Sequence, residues 1–163
     1  MDKDTLTYTV IGCAMKVYNT LGPGFQEVIY QRCLAIELRR SGLSFVRELD
    51  HNVYYEDIEV GTRRADFVVE GVLTVELKAK FNLEAAFLIQ AKNYTKVYDF
   101  PRGLLFNFGS TSLHYKLLFN PKYKDPDYIA AKKAQMKLKH PTDSEILDTG
   151  ATHRFCPYCG KEL

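Results

Sequence analysis

The chain has 163 residues, 46% of them hydrophobic and 13% aromatic, which is enough apolar material for one compact domain with a short appendage and too much for a disordered chain. Its 22 basic and 20 acidic side chains leave a net charge of +2, so any nucleic-acid-binding face must be local rather than a property of the whole chain. No apolar run is long enough to span a bilayer, and Met1-Asp2-Lys3-Asp4 opens acidic rather than as a secretion signal; a cytoplasmic protein with no membrane partner is expected, its four cysteines reduced or metal-bound.

Residues 5–21 set Leu6, Val10, Ala14, Val17 and Leu21 at three- and four-residue steps, predicting an amphipathic helix ended by Gly22-Pro23-Gly24. A second helix is expected over 25–41, with Phe25, Ile29, Cys33, Ile36 and Arg40 along one side and Gly42 as its stop. Gly24, Glu27 and Tyr30 fall on one stripe near its start, where the small glycine would let the helix approach the sheet; a glutamate there suits the helix dipole whatever else it does. Cys13 and Cys33 have apolar neighbours and read as small core residues. Residues 45–55 alternate as a half-buried strand, in which His51 reads as a surface or packing residue, and Glu56-Asp57 and Gly61 mark turns.

Residues 64–80 then form two apolar-alternating runs meeting at Gly71. A three-residue loop, Glu70-Gly71-Val72, sets Val69 opposite Leu73, Phe67 opposite Val75 and Ala65 opposite Leu77, whereas a two-residue turn would match each apolar position with a polar one. The favoured register puts Asp66 directly opposite Glu76, with Arg64, Thr74, Lys78 and Lys80 on the same face. Two facing carboxylates repel unless a cation lies between them, and Mg²⁺ takes oxygen ligands, often from only one or two carboxylates. The alternative is a solvated face whose acids pair with Arg64, Lys78 and Lys80.

A third helix is expected over 83–98, with Leu83, Phe87, Ala91 and Tyr94 on a stripe beside Leu88; Gln90 and Tyr94, four apart, share a face. Pro101 and Gly103 end it before a covered strand at 104–108, and Gly109-Ser110-Thr111 turns the chain into a last strand at 113–119. Helix, helix, three strands, helix, two strands predicts an α/β fold, a mixed central sheet flanked by helices.

Five blocks occur in order: Leu21-Gly22-Pro23-Gly24-Phe25-Gln26-Glu27-Val28-Ile29-Tyr30, Arg64-Ala65-Asp66, Val75-Glu76-Leu77-Lys78-Ala79, Gln90-Ala91-Lys92-Asn93-Tyr94 and Gly103-Leu104-Leu105-Phe106-Asn107-Phe108-Gly109. Through them the chain resembles the GxxExxY proteins, a branch of the PD-(D/E)XK nuclease superfamily, over about residues 6–119. The resemblance implies a metal-dependent nuclease that hydrolyses phosphodiesters, with DNA ahead of RNA as its nucleic-acid partner and Mg²⁺ or Mn²⁺ as cofactor. It further implies Asp66 and Glu76 as metal ligands, Lys78 as the catalytic lysine, Glu27 pointing toward the site, and Gln90 and Tyr94 lining it. The family pattern often has a histidine where this chain has Ala86-Phe87, and a basic residue where it has Leu117. Arg63, Arg64, Lys80, Lys92 and Lys96 are candidate phosphate contacts. The competing reading is a non-catalytic nucleic-acid or protein-binding module that keeps the fold.

Residues 1–120 are thus expected to form the nuclease-like domain, and residues 121–163 a linker, a lysine-rich helix over 128–139 and a short tail. The tail holds Cys156-Pro157-Tyr158-Cys159-Gly160, which resembles half of a zinc ribbon. Two thiolates supply half of a four-ligand Zn²⁺ site; His140 and His153 would complete it, or a second copy would contribute its own pair and make a homodimer. Zinc is favoured over a redox pair, which usually opens a helix after a strand.

Overall fold

The first helix is set by its cap. The Asp2 carboxylate accepts the Asp4 and Thr5 N–H groups, both at 2.9 Å, and so satisfies donors that a helix start leaves orphaned. The computed structural model describes residues 2–123. The expected helix over 128–139, His140, His153 and the Cys156 and Cys159 pair lie outside the described residues. The elements are α1 (Lys3–Leu21), α2 (Glu27–Arg40), β1 (Phe45–Tyr55), β2 (Ile58–Val69), β3 (Leu73–Lys78), α3 (Ala85–Val97), β4 (Arg102–Asn107) and β5 (His114–Phe119). This is the expected order, and the five strands form one sheet in the order β1-β2-β3-β4-β5.

All neighbours are antiparallel except β3 and β4, which run parallel because α3 carries the chain back between them. On one face, Val10, Ala14, Leu34 and Leu38 of α1 and α2 pack against Phe67, Val75, Leu77 and Phe106. On the other, Tyr94 and Tyr98 close over Ala65 and Val68. Five of the six β3 residues, Thr74 and Glu76 included, are therefore buried, and Asp66 on β2 is half-buried, so the acid pair does not lie on an open face.

The hairpin loop is as expected. Val69 pairs with Leu73 and Phe67 with Val75, while Glu70 (φ 52°) and Gly71 (φ 65°) are both left-handed and Val72 N–H reaches Val69 O at 3.1 Å, as in a type I′ turn. The ladder stops at Phe67 and Val75, so Ala65 and Asp66 do not pair with Leu77 and Glu76. Nor does Ala65 share a cluster with Phe67 and Val69; it belongs to the α3 side. On the β3 side the Asp66 carboxylate takes the Leu77 N–H in place of a ladder bond, and on the β1 side the Tyr98 hydroxyl accepts the Ala65 N–H at 3.1 Å and donates to the Leu49 carbonyl, lying between two residues partnered across β1 and β2. Glu48, next to this insertion, has φ 49°.

Two expectations about α2 fail. Its buried stripe is Tyr30, Gln31, Leu34, Ala35 and Leu38, not the stripe through Phe25, which is 48% exposed. Gly24 lies before the helix with φ 108°, and a Cβ there would meet nothing within 4 Å, so its role is backbone conformation rather than close approach. Close approach belongs to Gly109, where a Cβ would lie 2.5 Å from the Ala79 carbonyl carbon.

Candidate active site

Where β2 and β3 part after Phe67 and Val75, a side chain takes over from the ladder. The Leu77 N–H donates to Asp66 Oδ2 at 2.7 Å. Gln31 Nε2, from α2, donates to Asp66 Oδ1 at 2.9 Å. Each Asp66 oxygen is thus held by a protein donor, yet each keeps a second lone pair. Glu76 is 5% exposed; its Oε1 takes the Lys78 ammonium at 2.6 Å, and its Oε2 is buried without a hydrogen-bond partner. Lys78 also lies 4.0 Å from Glu27 Oε1 and 5.5 Å from the centroid of the Phe87 ring on α3.

The expected residues therefore gather. Asp66, Glu76 and Lys78 form the centre, with Glu27 at its edge, its side chain 35% exposed. Tyr94 is buried, and Gln90 Nε2 donates to its hydroxyl at 2.9 Å, which leaves the phenol proton unused in that bond. Tyr30 lies apart: fully buried, it stacks on Phe108 at 4.6 Å, donates to the Gly22 carbonyl and accepts the Phe25 N–H. It pins the 22–25 loop that leads into α2. Arg64 turns to Asp50 through two bonds of 2.9 and 3.0 Å and does not reach the acid pair.

Burial and the nearby Glu76 carboxylate push Asp66 up to about 8, against the opposing pull of the Leu77 N–H and Lys78. Burial likewise raises Glu76, outweighing its contact with Lys78. Desolvation alone would lower the Lys78 ammonium, but Glu76, Glu27 and Asp66 more than offset it and leave it raised. Tyr94 is raised first by burial and then by the Glu76 charge, so it stays a neutral phenol. Burial thus favours the neutral forms of the two carboxyl groups, while the acids around Lys78 favour its charged form.

Sequence reasoning missed Gln31. A glutamine inside a helix reads as surface, but it lies four residues after Glu27 and so shares its face, which was the available signal. Also unforeseen was a groove of about 530 Å³ beside the centre, walled by Arg63 of β2 and by Ile89, Gln90, Asn93 and Tyr94 of α3.

Among the described residues no group of three or more His, Cys, Asp or Glu is arranged to hold a metal ion. The acid pair nevertheless fits a hard cation: its donors are all oxygen, and Glu76 Oε2 is a buried acceptor lacking a partner. No described helix is long and apolar enough to cross a membrane.

A helix-flanked mixed sheet with an Asp and a Glu-x-Lys meeting where two strands diverge defines a nuclease-like α/β domain. The chain belongs to the PD-(D/E)XK nuclease superfamily, whose family profile matches residues 4–117. Nucleases of this superfamily generally use divalent metals such as Mg²⁺ and act on nucleic acid. Among solved structures the chain is similar to one described as "Crystal structure of SSO0001", at 15% identity and a TM-score of 0.44, covering 67% of this chain and 58% of that one. A search of curated proteins finds no match.

Proposed function

We propose that the protein is a metal-dependent nuclease of the GxxExxY branch that hydrolyses phosphodiester bonds of nucleic acid, DNA ahead of RNA. The observation that carries this reading is the half-buried Asp66 beside the buried Glu76, whose Oε2 lacks a partner and whose Oε1 holds Lys78. Two neighbouring carboxylates withdrawn from water cost stability, and a divalent cation offsets that cost directly.

In this reading Asp66 and Glu76 hold Mg²⁺ or Mn²⁺. The chemistry a bound ion supplies is polarisation of the phosphate and a lowered pKa for a coordinated water. During hydrolysis a water oxygen would join phosphorus while the bond to one sugar oxygen breaks, and that oxygen would leave as an alcohol with a proton from solvent. Lys78, cationic and anchored by Glu76, offsets negative charge building on the phosphate oxygens. Glu27, on the open side of Lys78, takes the proton of the attacking water. Tyr94 and Gln90 orient the substrate through the phenol proton and the side-chain amide. Cys156 and Cys159 supply two ligands of a structural Zn²⁺ site in the tail.

Incubating plasmid and single-stranded DNA and RNA with Mg²⁺ or Mn²⁺ tests the reading. Cleavage by the wild type that disappears in chelator and in Lys78→Ala supports it. Binding without Lys78-dependent cleavage overturns it in favour of a non-catalytic module.

A further inference from the structure

The groove beside the acid pair has walls of different character. On α3, Ala86, Ile89, Gln90, Asn93 and Tyr94 line it at helical spacing, one full stripe of the helix. Opposite stand Thr62, Arg63 and Arg64 of β2. Among the described residues no acid lines the groove, although Glu56, Asp57 and Glu59 crowd the far end of the β1–β2 hairpin. Tyr94 joins it to the centre, since the same side chain feels the charges of Glu76 and Asp66.

From this juxtaposition we infer that the groove receives an unpaired stretch of polynucleotide, so that the substrate is single-stranded at the point of cleavage; this rests on the nuclease reading of the neighbouring centre. Size supports it: about 530 Å³ is the scale of a site for one small ligand and suits a nucleotide or two, not a double helix. Chemistry supports it as well. Ile89 is 63% exposed and, with Ala86, offers an apolar ledge to the face of a base, which stacking hides in a duplex. Asn93 and Gln90 present amides that donate to and accept from a base edge. Arg63 is exposed, and its guanidinium, donating to the adjacent Thr62 carbonyl at 3.3 Å, keeps further N–H groups for a backbone phosphate.

Fluorescence anisotropy of the full-length protein without added divalent metal, using labelled single-stranded DNA, single-stranded RNA and blunt duplex DNA of one sequence, tests the inference. A single strand should bind about tenfold or more tighter than the duplex. Arg63→Ala should reduce the slope of log affinity against log salt by about one. Asn93→Ala should weaken single-strand binding about fivefold. Both side chains are exposed, and matched melting temperatures confirm that the variants are folded. Preference for DNA or for RNA supports the inference and names the sugar. Duplex bound as tightly as single strand, or variants that bind like the wild type, overturn it. The two readings fail separately: groove-dependent single-strand binding with no metal-dependent cleavage sinks the nuclease reading alone, and duplex cleavage with indifferent groove variants sinks the groove alone.

Discussion

Gln31 Nε2 donates to Asp66 Oδ1 at 2.9 Å, tying the second helix to the central hairpin at the acid pair. Gln31 is only 8% exposed, and the carboxylate's other oxygen is held by the Leu77 N–H, so Asp66 is fixed from two elements at once. Gln31→Leu removes one of these donors while keeping the side chain's bulk. It should lower stability by about 1 to 3 kcal/mol and weaken the response of melting temperature to Mn²⁺. Gln31→Leu with an unchanged Mn²⁺ response would show that Asp66 needs no orienting partner.

Stability without metal should fall as pH rises. Asp66 has an ordinary value of 3.8 and stands at about 8 in the folded chain, so between these values the native state binds more protons than the unfolded state. The slope of unfolding free energy against pH is then negative: the contribution is fully present below 3.8 and lost as pH climbs through about 8. Chemical denaturation across this window should show the decline in the wild type and a flatter profile in Asp66→Asn. Parallel profiles would place the effect elsewhere.

Gly109 follows β4, where Phe108 N–H reaches the Lys78 carbonyl at 2.7 Å and a Cβ on Gly109 would lie 2.5 Å from the Ala79 carbonyl carbon. Backbone cannot move aside as a side-chain end can. Gly109→Ala should cost about 2 kcal/mol or more. Gly61→Ala, with nothing within 4 Å and no positive φ, should be close to neutral in the same denaturation experiment.

The zinc proposal separates from the domain. Tyr123 packs against the α1 and α2 side of the core, and the Lys3 ammonium lies 5.6 Å from its ring centroid, so a truncation belongs after this residue. The shortened chain should melt cooperatively and carry no copurifying zinc by atomic emission. Zinc retained after truncation would exclude Cys156 and Cys159 as its ligands.

What could be read from the sequence followed from strict periodicity. The hairpin register was legible because apolar residues match across Glu70-Gly71-Val72 in one alignment only, and the α1 stripe because Leu6, Val10, Ala14 and Val17 recur at three- and four-residue steps, although Thr7 is buried beside them and Tyr8 and Met15 are exposed. On α2, by contrast, Phe25, Ile29, Cys33 and Ile36 compete with Tyr30, Leu34, Ala35 and Leu38, and spacing alone does not choose between the two stripes. The end of the β2–β3 ladder was illegible for another reason. It depends on the Asp66 carboxylate taking the Leu77 N–H in place of a backbone carbonyl, a side-chain contact that alternation does not encode. The cross-strand pairing of Asp66 with Glu76 that alternation predicts is absent, and the Asp66 carboxylate bonds instead to the Leu77 N–H of β3.

The central claim, that Asp66 and Glu76 form a divalent-metal site, is met most directly by the melting temperature of wild type and Asp66→Asn with and without Mn²⁺. The substitution should be tolerated, because the new side-chain amide oxygen can keep the Leu77 N–H while Gln31 turns its own amide to accept. The uncharged side chain also stands in for the protonated Asp66 that the folded chain keeps up to about pH 8, so the variant should melt no lower than wild type in the absence of metal. At about a hundredfold excess over its dissociation constant, Mn²⁺ should stabilise the wild type by about 2.7 kcal/mol. Asp66→Asn should gain little. An equal rise in both proteins would contradict the account, since the ion would then be binding somewhere other than this pair.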